Sequence, residues 1–263
     1  MLVQRDLEEL VPTPEGRIHF VKSGSGHPIV LLHPMGTSDW AWHTVMEPLG
    51  QQFTCYAFDM LGHGQSDAPC EGFAMPDWAR SMDHAMQIMN IHRAHIVGNS
   101  VGAVLATELA ASYPDRVDRL VLVGAPVWDP RTALQRIQEG AAGYDANSMP
   151  VPRTLEEVRA ATTFVNPKPE WVEKTNELRA QAGVWVRKTM ESLAWYDIMS
   201  RLPHIKASAT LVLYGEHDRL RDGEDLLYNN LPNASKVVLP GLGHLPQVED
   251  PEAFVSAVVP FLS

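Results

Sequence analysis

Short apolar runs alternate along this chain with segments of helical pattern. The apolar runs cover residues 18–22, 28–32, 53–58, 94–97, 120–123, 210–214 and 236–239. A near-continuous apolar run such as 28–32 is typical of a strand that is buried on both faces of a sheet. Helical patterns cover residues 77–89, 101–112 and 251–262. The alternation predicts an α/β fold with a largely parallel sheet.

Residues 128–204 interrupt this alternation, because no strand pattern occurs in them. Thr154 and Glu157 have the spacing of a capping box at a helix start, and residues 170–179 and 184–199 have helical patterns. Open α/β sheets bind ligands beyond the carboxyl ends of their strands. We therefore expect an α/β core of residues 1–127 and 205–263, with residues 128–204 forming a helical cap over those strand ends.

The composition excludes several classes of partner. The 263 residues carry a net charge of −11, which argues against nucleic acid and anionic membranes as ligands. Cys55 and Cys70 have no spacing typical of zinc ligands or of a disulfide framework. Charges within residues 1–9 argue against a signal peptide, and no apolar run reaches the length of a membrane span. We expect a cytoplasmic protein that acts on a small molecule, with homodimerisation left open.

The pentapeptide Gly98-Asn99-Ser100-Val101-Gly102 lies between an apolar run and a helical run of small residues. A G-x-S-x-G sequence between a strand and a helix is typical of a tight, strained turn that projects a nucleophilic serine above the sheet. A Cβ two residues on either side of the serine would collide with the neighbouring strand or helix. Ser100 is therefore the candidate nucleophile.

An acid and a histidine follow Ser100 in the order that this kind of turn requires. Asp218 comes directly after the run 210–214, and His244 directly after the run 236–239. In this arrangement Ser100 attacks, His244 accepts its proton, and Asp218 orients the imidazole and stabilises its charged form. Glu216 is the alternative acid.

Two backbone N–H groups are needed to stabilise the negative oxygen that forms during such an attack. Val101, which directly follows the nucleophile, supplies one candidate donor. The other lies in His33-Pro34-Met35-Gly36, directly after the run 28–32. Proline has no N–H, so Met35 is the second candidate.

These motifs resemble those of the α/β-hydrolase superfamily along almost the whole chain. Residues 33–36 are similar to its H-G-x-G loop, with Pro34 where glycine is usual, and residues 59–67 are similar to its D-x-x-G-x-G-x-S segment. The resemblance implies an eight-stranded, mostly parallel sheet with a mobile helical cap inserted between two strands. It also implies that no cofactor is needed, and we expect no metal.

The fold leaves the reaction open. A serine nucleophile favours hydrolysis of an ester or lactone bond in a small, largely apolar substrate. The alternative is C–C bond hydrolysis of a vinylogous diketo acid, because Asn99 and the helical segment resemble the meta-cleavage-product hydrolases. In those enzymes an arginine near the cap binds the acid, and Arg187 or Arg159 are candidates. Leu245 stands where they usually have tryptophan. A ligand receptor without activity is a third possibility.

Six residues are candidates for the substrate pocket, by their position beside the predicted strand ends or in the cap. They are His33, Trp40, Asn99, Trp128, Trp185 and Arg187. Trp40 follows the loop of Met35, and Trp128 follows a strand end. For the tryptophans, packing of the cap on the core is the competing interpretation, and Asn99 has an alternative role in bonding the loops around Ser100.

Overall fold

The computed structural model of this chain describes residues 7–263. Arg5 and Asp6, two of the charges that argue against a signal peptide, lie outside the described residues. Within residues 7–263, eight strands form one sheet. They are β1 (Leu7–Thr13), β2 (Gly16–Gly24), β3 (His27–Leu32), β4 (Phe53–Phe58), β5 (Ala94–Asn99), β6 (Val117–Val123), β7 (Ala209–Gly215) and β8 (Ala234–Leu239).

Helices connect the strands. They are α1 (Met46–Gly50), α2 (Met75–Ile88), α3 (Val101–Ser112), α4 (Pro130–Gly140), α5 (Leu155–Ala160), α6 (Pro169–Ala182), α7 (Val184–Ala194), α8 (Glu224–Asn230), α9 (Pro246–Glu249) and α10 (Pro251–Leu262). Four of them, α4 to α7, lie in residues 124–208 between β6 and β7, a segment called the insert below. None of the helices in residues 7–263 is long and apolar enough to cross a bilayer.

The strand order in the sheet is β1-β2-β4-β3-β5-β6-β7-β8. The pairs of β1 with β2 and of β2 with β4 are antiparallel, and every later pair is parallel. The carboxyl ends of β3, β5, β6, β7 and β8 therefore meet at one edge of the sheet. The loops that carry Met35, Ser100, Asp218 and His244 all leave from this edge.

Apolar side chains bury both faces of the sheet. On one face, α3 packs so closely that ten of its residues are buried, because alanines and glycine allow its backbone to approach the strands. On the other face, Trp42 and Phe254 pack with α1 and α10. This two-sided core holds the strand ends, and hence the loops at their carboxyl edge, in fixed positions.

The predicted fold class is confirmed, and several elements differ from the sequence-based expectation. Strand β1 was not predicted, since its sequence LEELVPT has charges and a proline, which edge strands tolerate. Helix α2 begins two residues earlier than predicted, where the Asp77 carboxylate accepts the N–H of Ala74. Helix α7 ends at Ala194, not at residue 199. Beyond it, Tyr196 donates to Glu108 of α3, which turns the chain toward the core.

Candidate active site

Ser100 lies on a sharp turn between β5 and α3. Its backbone angles are φ 59° and ψ −120°, a conformation that costs a residue with a side chain of the order of 1–3 kcal/mol. The N–H of Ser100 donates to the carbonyl of Val123 at 2.8 Å, and its own carbonyl accepts from Ala103 at 2.9 Å. These bonds hold the strained turn, and they leave the hydroxyl free to face the cavity described below.

Gly98 and Gly102 are required by close backbone approach. A Cβ on Gly98 would lie 2.1 Å from the carbonyl oxygen of Gly102, and a Cβ on Gly102 would lie 2.1 Å from that of Leu32. Both distances are far below van der Waals contact, and the atoms met are backbone atoms of the neighbouring helix and strand. A side chain at either glycine would therefore collide with the backbone, as the sequence predicts.

His244 and Asp218 form a hydrogen-bonded pair at the ends of β8 and β7. Nδ1 of His244 lies 2.8 Å from Oδ2 of Asp218, whose side chain is almost fully buried. Oδ1 of Asp218 accepts the N–H of Leu220 at 2.9 Å. Burial raises the pKa of Asp218, but His244 and the Leu220 N–H outweigh it and hold that pKa below its ordinary value. Asp218 is therefore a carboxylate at neutral pH, able to fix the imidazole.

Glu216, the alternative acid, lies away from His244. Its carboxylate accepts the N–H of Gly241 at 2.8 Å and is half exposed. Among the described residues, no hydrogen bond joins the Ser100 hydroxyl to His244, although both line the same cavity. Such bonds are often long before substrate binds, so this geometry leaves His244 in place as the candidate base.

Asn99 holds the loop of His244 and does not line the cavity. Its fully buried amide donates to the carbonyls of Val123 at 3.1 Å and of His244 at 3.2 Å. Its oxygen accepts from Gln247 at 3.1 Å. Asn99 was predicted to line the substrate pocket, but its side-chain amide instead bonds the serine turn to the histidine loop.

The loop after β3 is fixed by His33. The Nε2 atom of this fully buried ring accepts the N–H of Met60 at 2.9 Å, so its Nδ1 carries the proton and donates to the carbonyl of Pro34 at 2.8 Å. Burial lowers the pKa of His33, which keeps the ring neutral. The Thr37 hydroxyl donates to the same carbonyl at 2.8 Å. The loop is thus held in place despite Pro34, and His33 does not reach the cavity.

The N–H groups of Met35 and Val101 have no hydrogen-bond acceptor in the part of the chain that the structure describes. Both residues line the cavity together with Ser100. Val101 is also the first residue of α3, where the helix dipole favours negative charge. Both N–H groups are therefore available to an oxygen atom of a ligand in this cavity.

A cavity of about 160 Å³ lies above Ser100, between the sheet edge and the insert. It is smaller than the roughly 300–1,000 Å³ of sites for drug-sized ligands, which points to a small ligand. Apolar side chains form much of its wall, among them Trp128, Val158, Met190, Leu193 and Leu245. Of the six residues proposed for the pocket, Trp128 lines this cavity.

The other pocket candidates lie elsewhere. Trp40 stacks on His43 and packs against a cluster around Phe164. Trp185 packs over Gly62 and lines a separate open groove. Arg187 pairs with Glu191 at 3.0 Å and donates to Ser148 at 3.1 Å. Arg159 is exposed and also lies outside the cavity lining.

Three arginines that no sequence motif indicated line the cavity instead: Arg153, Arg179 and Arg219. None of their guanidinium groups forms an ion pair within residues 7–263, whereas eight of the other eleven arginines there do. Arg179 is 7% exposed, and its Nε has no partner. Burial, and then Arg153, lower the pKa of Arg179 to about 10, which leaves it charged at neutral pH.

This arginine cluster lies beside the loop of Met35. A Cβ on Gly36 would lie 3.0 Å from Cγ of Arg179, so the arginine packs directly on the loop. Buried charges are normally paired, because an unpaired one loses its hydration without compensation. An anionic group of a ligand would supply the missing partner in the cavity that Ser100 also lines.

The insert is bonded to the histidine loop. The N–H groups of His244 and Leu245 donate to the carbonyls of Thr162 and Thr163 at 3.0 and 3.2 Å. The carboxylate of Glu249 accepts from Gly243 at 2.6 Å and from Val165 of the insert at 2.6 Å. One side of the cavity is therefore closed by main-chain bonds between the insert and the core.

Comparison with known proteins agrees with the fold described above. The family model described as "alpha/beta hydrolase fold" matches residues 27–251. The 2-hydroxy-6-oxononadienedioate/2-hydroxy-6-oxononatrienedioate hydrolase of Burkholderia vietnamiensis is 31% identical over 266 residues, covering 94% of this chain and 91% of that protein.

Two solved structures have the same fold. A bacterial membrane phospholipase A superposes with a TM-score of 0.84 at 25% identity, covering 98% of this chain and 86% of that one. The enol-lactonase of Burkholderia xenovorans LB400 superposes with a TM-score of 0.79 at 22% identity, covering 97% and 99%.

Proposed function

This chain belongs to the α/β-hydrolase fold family, and from that premise we propose that it is a serine hydrolase acting on a small ester or lactone that carries a carboxylate. The observation that carries the proposal is that Ser100, His244 and the unpaired Arg153 and Arg179 line one cavity. The serine and histidine account for acyl transfer, and the arginines account for an acidic substrate. Apart from the arginines, the cavity wall fits the apolar part of a small acyl group.

The reaction proceeds in two acyl transfers. His244 takes the proton of the Ser100 hydroxyl as its oxygen attacks the substrate carbonyl, and Asp218 stabilises the resulting imidazolium. The N–H groups of Met35 and Val101 bind the negative oxygen of the tetrahedral intermediate. His244 then gives the proton to the alkoxide as the C–O bond breaks and the acyl-enzyme forms. The alcohol of an ester departs, whereas that of a lactone stays attached to the acyl group. Water repeats the sequence on the acyl-enzyme and releases the acid.

A second candidate reaction is hydrolysis of a C–C bond in a vinylogous diketo acid. The arginine cluster favours it too, since such a substrate is anionic, and the 31% identical relative from Burkholderia vietnamiensis is named for a dioate substrate. Against it, Leu245 follows His244 where tryptophan is usual in enzymes of this kind. Both candidates share Ser100 and differ only in the bond that is cleaved.

Two measurements test these proposals. A fluorophosphonate probe is expected to label wild-type protein and not Ser100→Ala, and absence of labelling would leave a ligand receptor as the better interpretation. The second measurement compares p-nitrophenyl hydrogen glutarate with p-nitrophenyl valerate, which differ by a terminal carboxylate. We expect kcat/KM to favour the glutarate at least tenfold, and equal values would contradict the acidic substrate. A vinylogous diketo acid in the same series decides between ester and C–C cleavage.

A further inference from the structure

Three side chains of types that commonly bind metals face one another at the edge of the sheet opposite Ser100. His27 begins β3, His95 is the second residue of β5, and Asp118 is the second residue of β6. These strands are adjacent and parallel, so their amino ends lie side by side. One ligand atom from each residue lies within 4.8 Å of the other two.

The distances are close to those of a metal site. Nε2 of His27 lies 3.6 Å from Oδ2 of Asp118, and Nδ1 of His95 lies 3.8 Å from the same oxygen. Tetrahedral zinc with bonds of about 2.0–2.1 Å places its ligand atoms about 3.4 Å apart. The two distances to Oδ2 exceed this value by about 0.2 and 0.4 Å, and the ligand atoms of His27 and His95 lie within 4.8 Å of each other, so small side-chain rotations would bring all three atoms into the coordination sphere of zinc. The exposed His27 and the partly exposed Asp118 have room to make them.

His95 supplies an independent sign of a missing partner. The residue is 4% exposed, and its Nδ1 is buried without a hydrogen bond. The nearest oxygen of Asp118, Oδ2, lies 3.8 Å from this Nδ1, which is beyond hydrogen-bond distance. A buried polar atom without a hydrogen bond is unfavourable, and a cation between Nδ1 and Oδ2 would satisfy it.

The two carboxylate oxygens of Asp118 have different neighbours. Oδ1 forms an ion pair with Arg93 at 3.2 Å and accepts a hydrogen bond from the Ser208 hydroxyl at 3.3 Å, whereas Oδ2 faces the two imidazoles. Two imidazoles and one carboxylate form a donor set that suits zinc, with a fourth position open to water. Arg93 is a competing cation and weakens the site without blocking Oδ2.

We propose that His27, His95 and Asp118 form a Zn²⁺ site that joins β3, β5 and β6 at the edge of the sheet remote from Ser100. The site is independent of the proposed hydrolase activity. Since the metal would join three strands of the core, its binding favours the folded chain over the unfolded chain.

The test is zinc binding by the full chain, freed of any histidine tag, measured by calorimetry and by thermal unfolding. Zn²⁺ at 100 times its Kd is expected to raise the Tm by about 5 °C. His27→Asn and Asp118→Asn are expected to weaken binding at least tenfold, while His92→Asn, which alters a neighbouring exposed histidine, leaves it unchanged. Circular dichroism checks that each variant is folded.

Two results would overturn the site: no binding up to millimolar Zn²⁺, or equal affinity in the wild type and in His27→Asn, which would place the metal elsewhere. Arg93→Gln removes the competing cation and is expected to tighten binding severalfold. Weaker binding in that variant would contradict Asp118 as a ligand.

Discussion

Gly124 lies against the His244 ring at the end of β6. A Cβ on Gly124 would lie 2.9 Å from Nδ1 of His244 and 2.7 Å from Oδ2 of Asp218, where it would force the two apart. The residue has φ +55°, so its position depends both on the absence of a side chain and on a left-handed backbone. No sequence motif pointed to this glycine as part of the site.

Gly124→Ala is expected to lower kcat at least 100-fold, because the added methyl pushes His244 and Asp218 apart and breaks the hydrogen bond between them. Gly72→Ala is the matched control, since Gly72 has φ +77° but a Cβ added there would meet no atom within 4 Å. Steady-state kinetics on one ester substrate compare the two. If both variants lose the same activity, backbone strain and not the contact with His244 is responsible.

Asp218→Asn is expected to lower kcat by about 10³–10⁴-fold, because the amide holds the imidazole in the wrong tautomer. Glu216→Gln, two residues away, is expected to leave kcat within about threefold, since its carboxylate bonds to Gly241 and not to His244. Rates of fluorophosphonate labelling and of turnover measure both variants. A larger loss in Glu216→Gln would reverse the assignment of the acid.

Arg179→Gln and Arg153→Gln are expected to raise KM for a carboxylate-bearing substrate about 10–100-fold, the value of one or two hydrogen bonds between charged groups. KM for the neutral analogue of equal length is expected to change little. Arg187→Gln serves as the control, because Arg187 pairs with Glu191 outside the cavity. Equal losses on charged and neutral substrates would show that the arginines only support the fold.

Asn99→Ala is expected to lower kcat 10–100-fold with little change in KM, because the bond to the His244 carbonyl is lost. Asn176 offers a contrast: its amide bonds to the backbone of Arg153 on the other side of the cavity. Asn176→Ala is expected to raise KM for the acidic substrate and to leave kcat almost unchanged. Identical patterns in both variants would contradict the separate roles of the two asparagines.

Ionisation of Asp39 is expected to destabilise the folded chain, whereas ionisation of Asp67 is expected to stabilise it. Burial and then Asp59 raise the pKa of Asp39 to about 6, so its ionisation disfavours the folded state above that pH and has no effect below about pH 4. Hydrogen bonds from Arg17 lower the pKa of Asp67 to about 2, so its stabilisation is full above about pH 4 and is lost as the pH falls through 2.

Thermal unfolding as a function of pH tests this pair. Asp39→Asn is expected to raise the Tm by a few degrees at pH 8 and not at pH 4. Asp67→Asn is expected to lower the Tm at pH 8, with the difference shrinking below pH 3. A lower Tm for Asp39→Asn at pH 8 would show that its carboxylate makes favourable bonds that outweigh its burial.

Features that depend on a few consecutive residues were predictable from the sequence. The positions of Ser100, Asp218 and His244 at strand ends follow from local motifs and from the order of the strands. The three cavity arginines were not predictable, because Arg153, Arg179 and Arg219 come from separate segments that meet only through the packing of the insert. Periodicity describes which face of a helix is apolar, and it does not give the direction in which that helix lies over the core.

The main-chain bonds from His244 and Leu245 to Thr162 and Thr163 have a consequence for how such a protein diverges. Because the segment that shapes the cavity also supports the proposed base, residues 162–166 and 243–249 have to remain compatible with each other. A chimera that exchanges the insert alone breaks this pairing, whereas one that exchanges both segments preserves it. An exchange of the whole insert is then expected to preserve the catalytic geometry only when residues 243–249 are exchanged with it.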